Sequence, residues 1–384
     1  MIGKNKLYTA LLSVAALLIA VGLAEATFRW FAPHGYYIWP PNWRANFEPA
    51  PNALPGVFGE SKIVTNEWGI RGAPFSDADR YRVLAVGGST TECLYLDDSE
   101  AWPHLVETRL NADRFEPHPV WVGNVGRSGH NTSHHLLQVE KALGQYPRID
   151  LVLLLVGVND LMPVLENGHY TPPTEKELEA AFSIQPGLNL EDASYAFYKR
   201  TEIWRTLRRV RDNLFSETKG ALIQDRAGSV FVTLRERRHG TYVYLDDLPD
   251  LTAALAVYKA NLNAIVDSVQ RRGIRIVLMT QPSLWAGEMT ADADRLIWMG
   301  RNGPHMGSDI KGYYSSAALE RGMSRYNEML LQVCKERSLQ CVDLAAAVPK
   351  ASDVFYDDVH FTEAGSRMVA DIVADFLEHS RQTW

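Results

Sequence analysis

YRVLAVGGSTTE, residues 81–92, decides how the rest of the chain is read. After Tyr81 and Arg82 the run is apolar at every position, not at alternate ones, as expected of a strand buried on both faces. Two glycines then turn the chain, and Ser89 opens a helix. The same kind of run recurs at 119–125 (PVWVGNV), 150–156 (DLVLLLV), 274–280 (IRIVLMT) and 340–344 (QCVDL). Helical patterns lie between them, near 99–112, 131–145, 252–272, 313–337 and 362–379. Strand–helix alternation implies parallel strands joined by right-handed crossovers. The expected fold is a doubly wound α/β layer of about five parallel strands, a class that places ligands at the carboxyl ends of its strands.

Three patches of chemically useful residues follow such runs: VLAVGGSTTE (83–92), NVGRSGHNT (124–132) and LLLVGVND (153–160). A fourth, FYDDVHFTEAG (355–365), opens the last amphipathic helix. A serine, a histidine with an aspartate three residues before it, and donors from a glycine and an asparagine make a complete set for attacking an ester carbonyl. A phosphate-cradling reading of the Gly87-Gly88 turn is disfavoured, because neither Gly-Lys-Ser/Thr nor Gly-x-Gly-x-x-Gly occurs there.

In this order the four patches resemble the sequence blocks of the SGNH (GDSL-type) hydrolase superfamily. Gly87-Gly88-Ser89-Thr90 takes the place of the Gly-Asp-Ser-x block, Gly129 that of the second-block glycine, and Gly157-Val158-Asn159-Asp160 that of Gly-x-Asn-Asp. Asp357-Asp358-Val359-His360 matches the terminal Asp-x-x-His. Gly88 departs from the pattern, since many members carry aspartate there. The resemblance covers roughly 81–384 apart from a long insertion, and it implies a flavodoxin-like three-layer hydrolase. It also implies Ser89 as nucleophile, His360 as general base and Asp357, preferred over Asp358, as the carboxylate that orients the imidazole. The oxyanion donors would be the backbone N–H groups of Ser89 and Gly129 and the side-chain amide of Asn159. Asp160 would hold the Asn159 loop, and Thr90 and Thr91 would cap the helix at the nucleophile.

The 384 residues allow about two domains, and the net charge of −7 argues against a nucleic-acid partner. Lys4 and Lys6 precede an uncharged run from Leu7 to Leu23. This predicts a transmembrane signal anchor over 1–31 with the catalytic part outside the cytoplasm. Ala24-Glu25-Ala26 keeps a cleaved signal peptide, and hence secretion, as the alternative. Residues 32–80 read as a proline- and aromatic-rich stalk or wrapping segment that packs on the domain, with a short strand and glycine turns within 60–75 and a structural Arg71. The hydrolase domain is expected over 81–384.

Residues 161–250 exceed what one crossover needs and read as an inserted cap over the substrate pocket. Helices are expected near 175–185 and 195–215, and a hairpin near 229–245. The arginine-rich face of 199–215 and the cluster Arg235, Arg237 and Arg238 read as solvated basic faces, with contact to anionic lipid or an acidic polymer as the alternative. His130, His134 and His135 have no further ligand nearby in sequence, so no metal or other cofactor is expected. They are expected at the pocket entrance, with His130 contacting substrate. Thr280-Gln281-Pro282-Ser283 would shape the pocket wall, while Trp285 and Cys93 would be packing. Asp358, if not the triad acid, reads as a surface acid. Cys334 and Cys341 read as two buried small residues, with a disulfide as the alternative.

These residues point to a membrane-tethered serine ester hydrolase working through an acyl-enzyme on a small ester, a lipid or an acylated glycan. An O-acyltransferase that passes the acyl group to a polysaccharide hydroxyl would use the same residues. An inactive scaffold is the third reading, and the complete catalytic set argues against it.

Overall fold

The computed structural model describes residues 4–31, 36–75, 81–112, 119–183, 201, 203–204, 206–207, 222–303 and 310–380. The chain divides into two compact units, residues 1–35 with 183–221, and residues 36–182 with 222–384. In the first unit a helix spans Lys4–Phe31. Its apolar stretch Tyr8–Phe28 is 21 residues long, and none of its described residues is buried. At 1.5 Å per residue this matches the roughly 30 Å of a bilayer's hydrocarbon core.

The strands, in chain order, are β1 (Arg44–Pro49), β2 (Ser61–Val64), β3 (Tyr81–Gly87), β4 (Val120–Asn124), β5 (Leu151–Leu155), β6 (Leu222–Ala227), β7 (Tyr244–Leu245), β8 (Arg275–Met279), β9 (Arg301–Asn302), β10 (Gly312–Tyr314) and β11 (Cys341–Val342). The main sheet runs β11-β8-β5-β3-β4, with every neighbouring pair parallel. All five residues of β5 are fully buried, as its uninterrupted apolar run requires. The helices Trp102–Ala112, Thr132–Lys141, Thr252–Gln270, Ser316–Glu336 and Glu363–His379 supply the α layers at the expected positions. From β3 the chain steps to β4 at one edge and then returns to β5 on β3's other side. The reversal opens a crevice at the carboxyl end of β3, where the open α/β fold accepts ligands.

Residues 36–75 of the wrapping segment belong to this same unit. β1 pairs antiparallel with β2 and parallel with β6, joining residues before the main sheet to residues of the insertion. Trp39 stacks on Trp43 at 5.0 Å and donates its indole N–H to the Gly126 carbonyl at 3.0 Å. Arg71 is buried, donating to the carbonyls of Cys93 at 3.0 Å and Leu96 at 2.7 Å.

The insertion differs from expectation in one element. A helix covers Glu175–Ser183, and the helix expected over 195–215 lies mostly outside the described residues. Where a hairpin was expected near 229–245, a helix spans Ser229–His239 and only Tyr244–Leu245 is strand. Val230, Phe231, Val232 and Thr233 favour strand locally. Burial of Phe231, Leu234, Arg235 and Arg238, at i, i+3, i+4 and i+7, overrides that preference. The same burial corrects the reading of the arginines. Arg235 donates to the carbonyls of Leu296, Ala53 and Tyr356, and Arg238 to those of Met299 and Tyr314. Neither presents a solvated basic face.

Cys334 and Cys341 form a disulfide between the helix Ser316–Glu336 and β11, so the alternative pairing is the one realised. Cys93 is free and buried, and Trp285 is fully buried.

Candidate active site

The turn after β3 carries Ser89 into the crevice. Gly88 precedes a four-residue helix, Ser89–Glu92, which Cys93 ends in left-handed conformation. No side chain caps its start, so neither Thr90 nor Thr91 takes the capping role expected of it. Thr90 instead donates to the Gln281 side chain at 3.2 Å, and the Thr91 hydroxyl is buried. A Cβ on Gly88 would lie 2.4 Å from Asn159 Nδ2. In this chain the Gly88 backbone and the asparagine amide thus lie close together beside the serine.

His360 Nε2 lies 2.7 Å from Ser89 Oγ, although 271 positions separate them. On the ring's other side Nδ1 is 2.8 Å from Asp357 Oδ2 and 2.9 Å from Oδ1. With the carboxylate ionised, Nδ1 carries the proton and Nε2 faces the serine hydroxyl as acceptor. Asp357 is fully buried and also accepts from the backbone N–H of Val359 at 3.0 Å and of His360 at 2.9 Å. The helix starting at Glu363, capped by Thr362, begins just beyond and fixes this loop.

The electrostatics follow from that pairing. Burial pushes the Asp357 carboxyl upward, but the His360 charge and the hydrogen bonds from His360 and Trp298 together hold it below its ordinary value. Burial alone would lower His360, whereas Asp357, Asp358 and Glu92 together raise it. Asp358 is not a surface acid. It is fully buried and accepts from the Trp285 indole at 2.6 Å and from the backbone of Trp298 at 2.7 Å and Met299 at 3.1 Å. Burial and the neighbouring Asp357 push it up to about 6. The two adjacent aspartates thus face different ways: Asp357 toward the imidazole, Asp358 toward the segment 285–299.

Ser89, Gly129 and Asn159 line one cavity with His360. Gly129 has φ +78°, a backbone conformation that glycine adopts without strain. The turn that carries it is anchored by Glu92, which accepts from the Ser128 N–H at 3.0 Å and from the Ser128 hydroxyl. Arg127 lies 3.8 Å from Glu92 and covers the Trp39 ring at 4.1 Å. Asn159 donates one amide hydrogen to the His130 carbonyl at 2.9 Å, which fixes the orientation of the other. Asp160 accepts from the Thr132 N–H at 3.1 Å and is pushed up to about 7 by burial. It ties the Asn159 turn to the helix Thr132–Lys141.

His130 was expected to contact substrate, and its ring is packed inward. It is buried, stacked on His134 at 4.7 Å and 5.5 Å from the Phe182 ring, and it does not line the cavity; its carbonyl, not its ring, serves the site. The segment 280–283 does not line the cavity either. Among the described residues no group of three or more histidines, cysteines or acids is arranged to hold a metal ion.

The cavity has a volume of about 380 Å³. Its walls beside Ser89 and His360 are Tyr95, Phe231, Leu234, Trp298 and Tyr356, with Phe231 within 5.9 Å of Tyr95 and 5.5 Å of Trp298, ring to ring. Four of these walls had no signal in the sequence as site residues: Leu234 shares the misread hairpin with Phe231, and Tyr95, like Trp298, lies outside the four patches.

Residues 85–368 match the family model described as GDSL-like Lipase/Acylhydrolase. No curated protein matches the chain. Among solved structures, an acetylxylan esterase from Geobacillus stearothermophilus is similar, at 17% identity over 77% of this chain and 94% of that one, with a TM-score of 0.41. An α/β hydrolase enzyme from the metagenome of Lake Arreo, Spain, is similar at 13% identity over 78% of this chain and 96% of that one, also with a TM-score of 0.41.

Proposed function

Because this chain belongs to the GDSL-like lipase/acylhydrolase family, whose members hydrolyse esters, we propose that it cleaves its ester through Ser89, His360 and Asp357 by way of an acyl-enzyme. The observation that carries this reading is the 2.7 Å approach of His360 Nε2 to Ser89 Oγ with Asp357 against Nδ1. As Ser89 Oγ bonds to the carbonyl carbon, its proton passes to Nε2. The oxyanion meets the N–H groups of Ser89 and Gly129 and the free amide hydrogen of Asn159. Collapse breaks the bond to the alcohol, which leaves with the proton from Nε2. Water repeats the sequence, releasing the acid and restoring the serine.

An acetyl group fills a small part of a cavity of about 380 Å³. The space left over suits a longer acyl chain or the alcohol portion of the ester, against Phe231, Trp298 and Tyr356. Two features support an extracytoplasmic, membrane-tethered enzyme. The helix Lys4–Phe31 is long and apolar enough to span, and the Cys334–Cys341 disulfide persists where the surroundings are oxidising.

The test is labelling of the full-length protein with a serine-directed fluorophosphonate, followed by mass spectrometry. The expected adduct is on Ser89, absent in Ser89→Ala. Ester turnover without an adduct on Ser89 would overturn the mechanism. Repeating turnover with glycan acceptors separates hydrolysis from transfer, since transfer yields an acylated glycan in place of free acid.

A further inference from the structure

We infer that Trp298 is a positioning residue whose indole is at once a wall of the substrate cavity and the hydrogen-bond donor that tunes the Asp357–His360 pair. Its Nε1 lies 3.0 Å from Asp357 Oδ2, the oxygen that also meets His360 Nδ1 at 2.8 Å. The same side chain lines the cavity and packs on Phe231 with ring centroids 5.5 Å apart. Its backbone N–H donates to Asp358 Oδ2 at 2.7 Å, so the adjacent aspartates grip one residue at two points.

The grip explains a feature that the three-residue logic of a triad leaves open. Asp357 is fully buried and cannot draw on water for its remaining lone pairs. Two backbone N–H groups approach Oδ1, and the indole is the donor on Oδ2 beside the histidine. A donor on a carboxylate oxygen draws charge away from the imidazole that shares it. Removing that donor concentrates charge on His360 and makes the imidazole a stronger base. A substrate resting on Trp298 bears on the donor of this hydrogen bond, so occupancy of the cavity and strength of the base act through one side chain.

Other charged or titratable groups face the pair from every side. Asp358 and Tyr356 come from the same loop, and Glu92, Cys93 and Tyr95 from the segment after β3. Arg235 faces it from the helix Ser229–His239 and donates to the Tyr356 carbonyl at 2.7 Å. Trp298→Phe alters none of these. It retains an aromatic ring against Phe231 but removes the N–H together with part of the indole's bulk, so the pH limb, which lost bulk alone does not move, is the deciding readout.

The inference rests on the triad reading, and the experiment keeps the two apart. Full-length wild type, Trp298→Phe and Asp357→Asn with and without Trp298→Phe are compared by pH profiles of kcat/KM on a short soluble ester. The base works neutral, so activity falls as pH drops through the His360 pKa. A stronger base moves that acid limb upward. For Trp298→Phe the limb should rise by roughly half a pH unit and the plateau should fall by about three- to tenfold. In the Asp357→Asn background Trp298→Phe should move neither. A limb that stays at the wild-type pH, or a loss of equal size in both backgrounds, would reduce Trp298 to a wall and overturn the inference. Unimpaired turnover by Ser89→Ala would instead remove the triad reading beneath it. If Trp298→Phe does not fold, the unmutated enzyme labelled with 15N-tryptophan carries the test. One indole N–H signal should shift with the midpoint of the kinetic acid limb, and its absence would overturn the inference.

Discussion

His360 and the trio His130, His134 and His135 are all packed into the same unit, yet their environments push them in opposite directions. His360 has a buried carboxylate at 2.8 Å and is raised above the ordinary value of 6.5. The trio has none. Burial lowers His134 and His135 to about 4 and His130 well below its ordinary value. Burial alone therefore makes an inert, neutral ring, and a paired acid makes a base. The trio still serves the site, because the His130 carbonyl holds Asn159 and the His134 ring belongs to the capping box of the helix Thr132–Lys141.

The largest effects should come from breaking the paired histidine. His360→Ala and Ser89→Ala should each lower kcat for a soluble ester by at least about 10⁴-fold while circular dichroism stays native. Asp357→Asn should retain somewhat more activity than His360→Ala, since the base remains though misoriented. Near-wild-type turnover in any of the three would make His360 no different from the trio.

Next come the donors that the trio supports. Asn159→Ala should lower kcat by roughly 10²–10³-fold. Gly88→Ala should cost less, because its Cβ would meet Asn159 Nδ2 at 2.4 Å and the amide can give only by straining its bond to the His130 carbonyl. If Gly88→Ala kept wild-type kcat, the close approach of Gly88 and Asn159 would have no functional weight.

A smaller effect separates the two environments by pH. His135 is fully buried and is lowered to about 4, so the folded protein binds fewer protons than the unfolded chain between that value and 6.5. Stability should fall as pH drops through this window, by on the order of 3 kcal/mol from His135. His360 has the opposite sign: its protonated form adds stability below 6.5, which fades as pH rises through its raised value. Thermal melts of wild type and His135→Phe between pH 4 and 7 read the difference, and the variant should show the shallower slope. Parallel slopes would mean that burial at His135 exacts no proton-linked cost. His134→Leu, lacking a carboxylate to lose, should leave kcat/KM within about threefold and cost about 1 kcal/mol through the cap.

The contrast between the histidines was only half legible in the sequence. His360 was recognisable because Asp357 stands three residues before it, a spacing that one loop can close on itself. The trio was expected at the pocket mouth, since nothing local distinguishes a buried ring from an exposed one. The strands of the main sheet were equally plain, because a strand covered on both faces must be apolar at every position, as Leu151–Leu155 is. The helix Ser229–His239 was not, because its opening Val-Phe-Val-Thr obeys strand preference while its long-range contacts obey helical spacing. Arg235 and Arg238 misled for a related reason: their partners are backbone carbonyls from 53 to 356, and a carbonyl carries no sequence signature. Trp298 was invisible, since its partner lies 59 positions away and either residue alone is ordinary.

By itself, then, the order of residues determined the layers of the fold, the spanning length of the first helix and the four turns that bear reactive groups. All of these depend on local composition and on periodicities that a chain carries with it. Tertiary structure alone decided the shape of the cavity, the burial of Asp358 against the segment 285–299, the closure of Cys334 on Cys341, and the folding of residues 36–75 into the unit that holds the main sheet. Each depends on distances between segments remote in sequence or on the orientation of neighbouring side chains, and both are fixed only when the whole core packs.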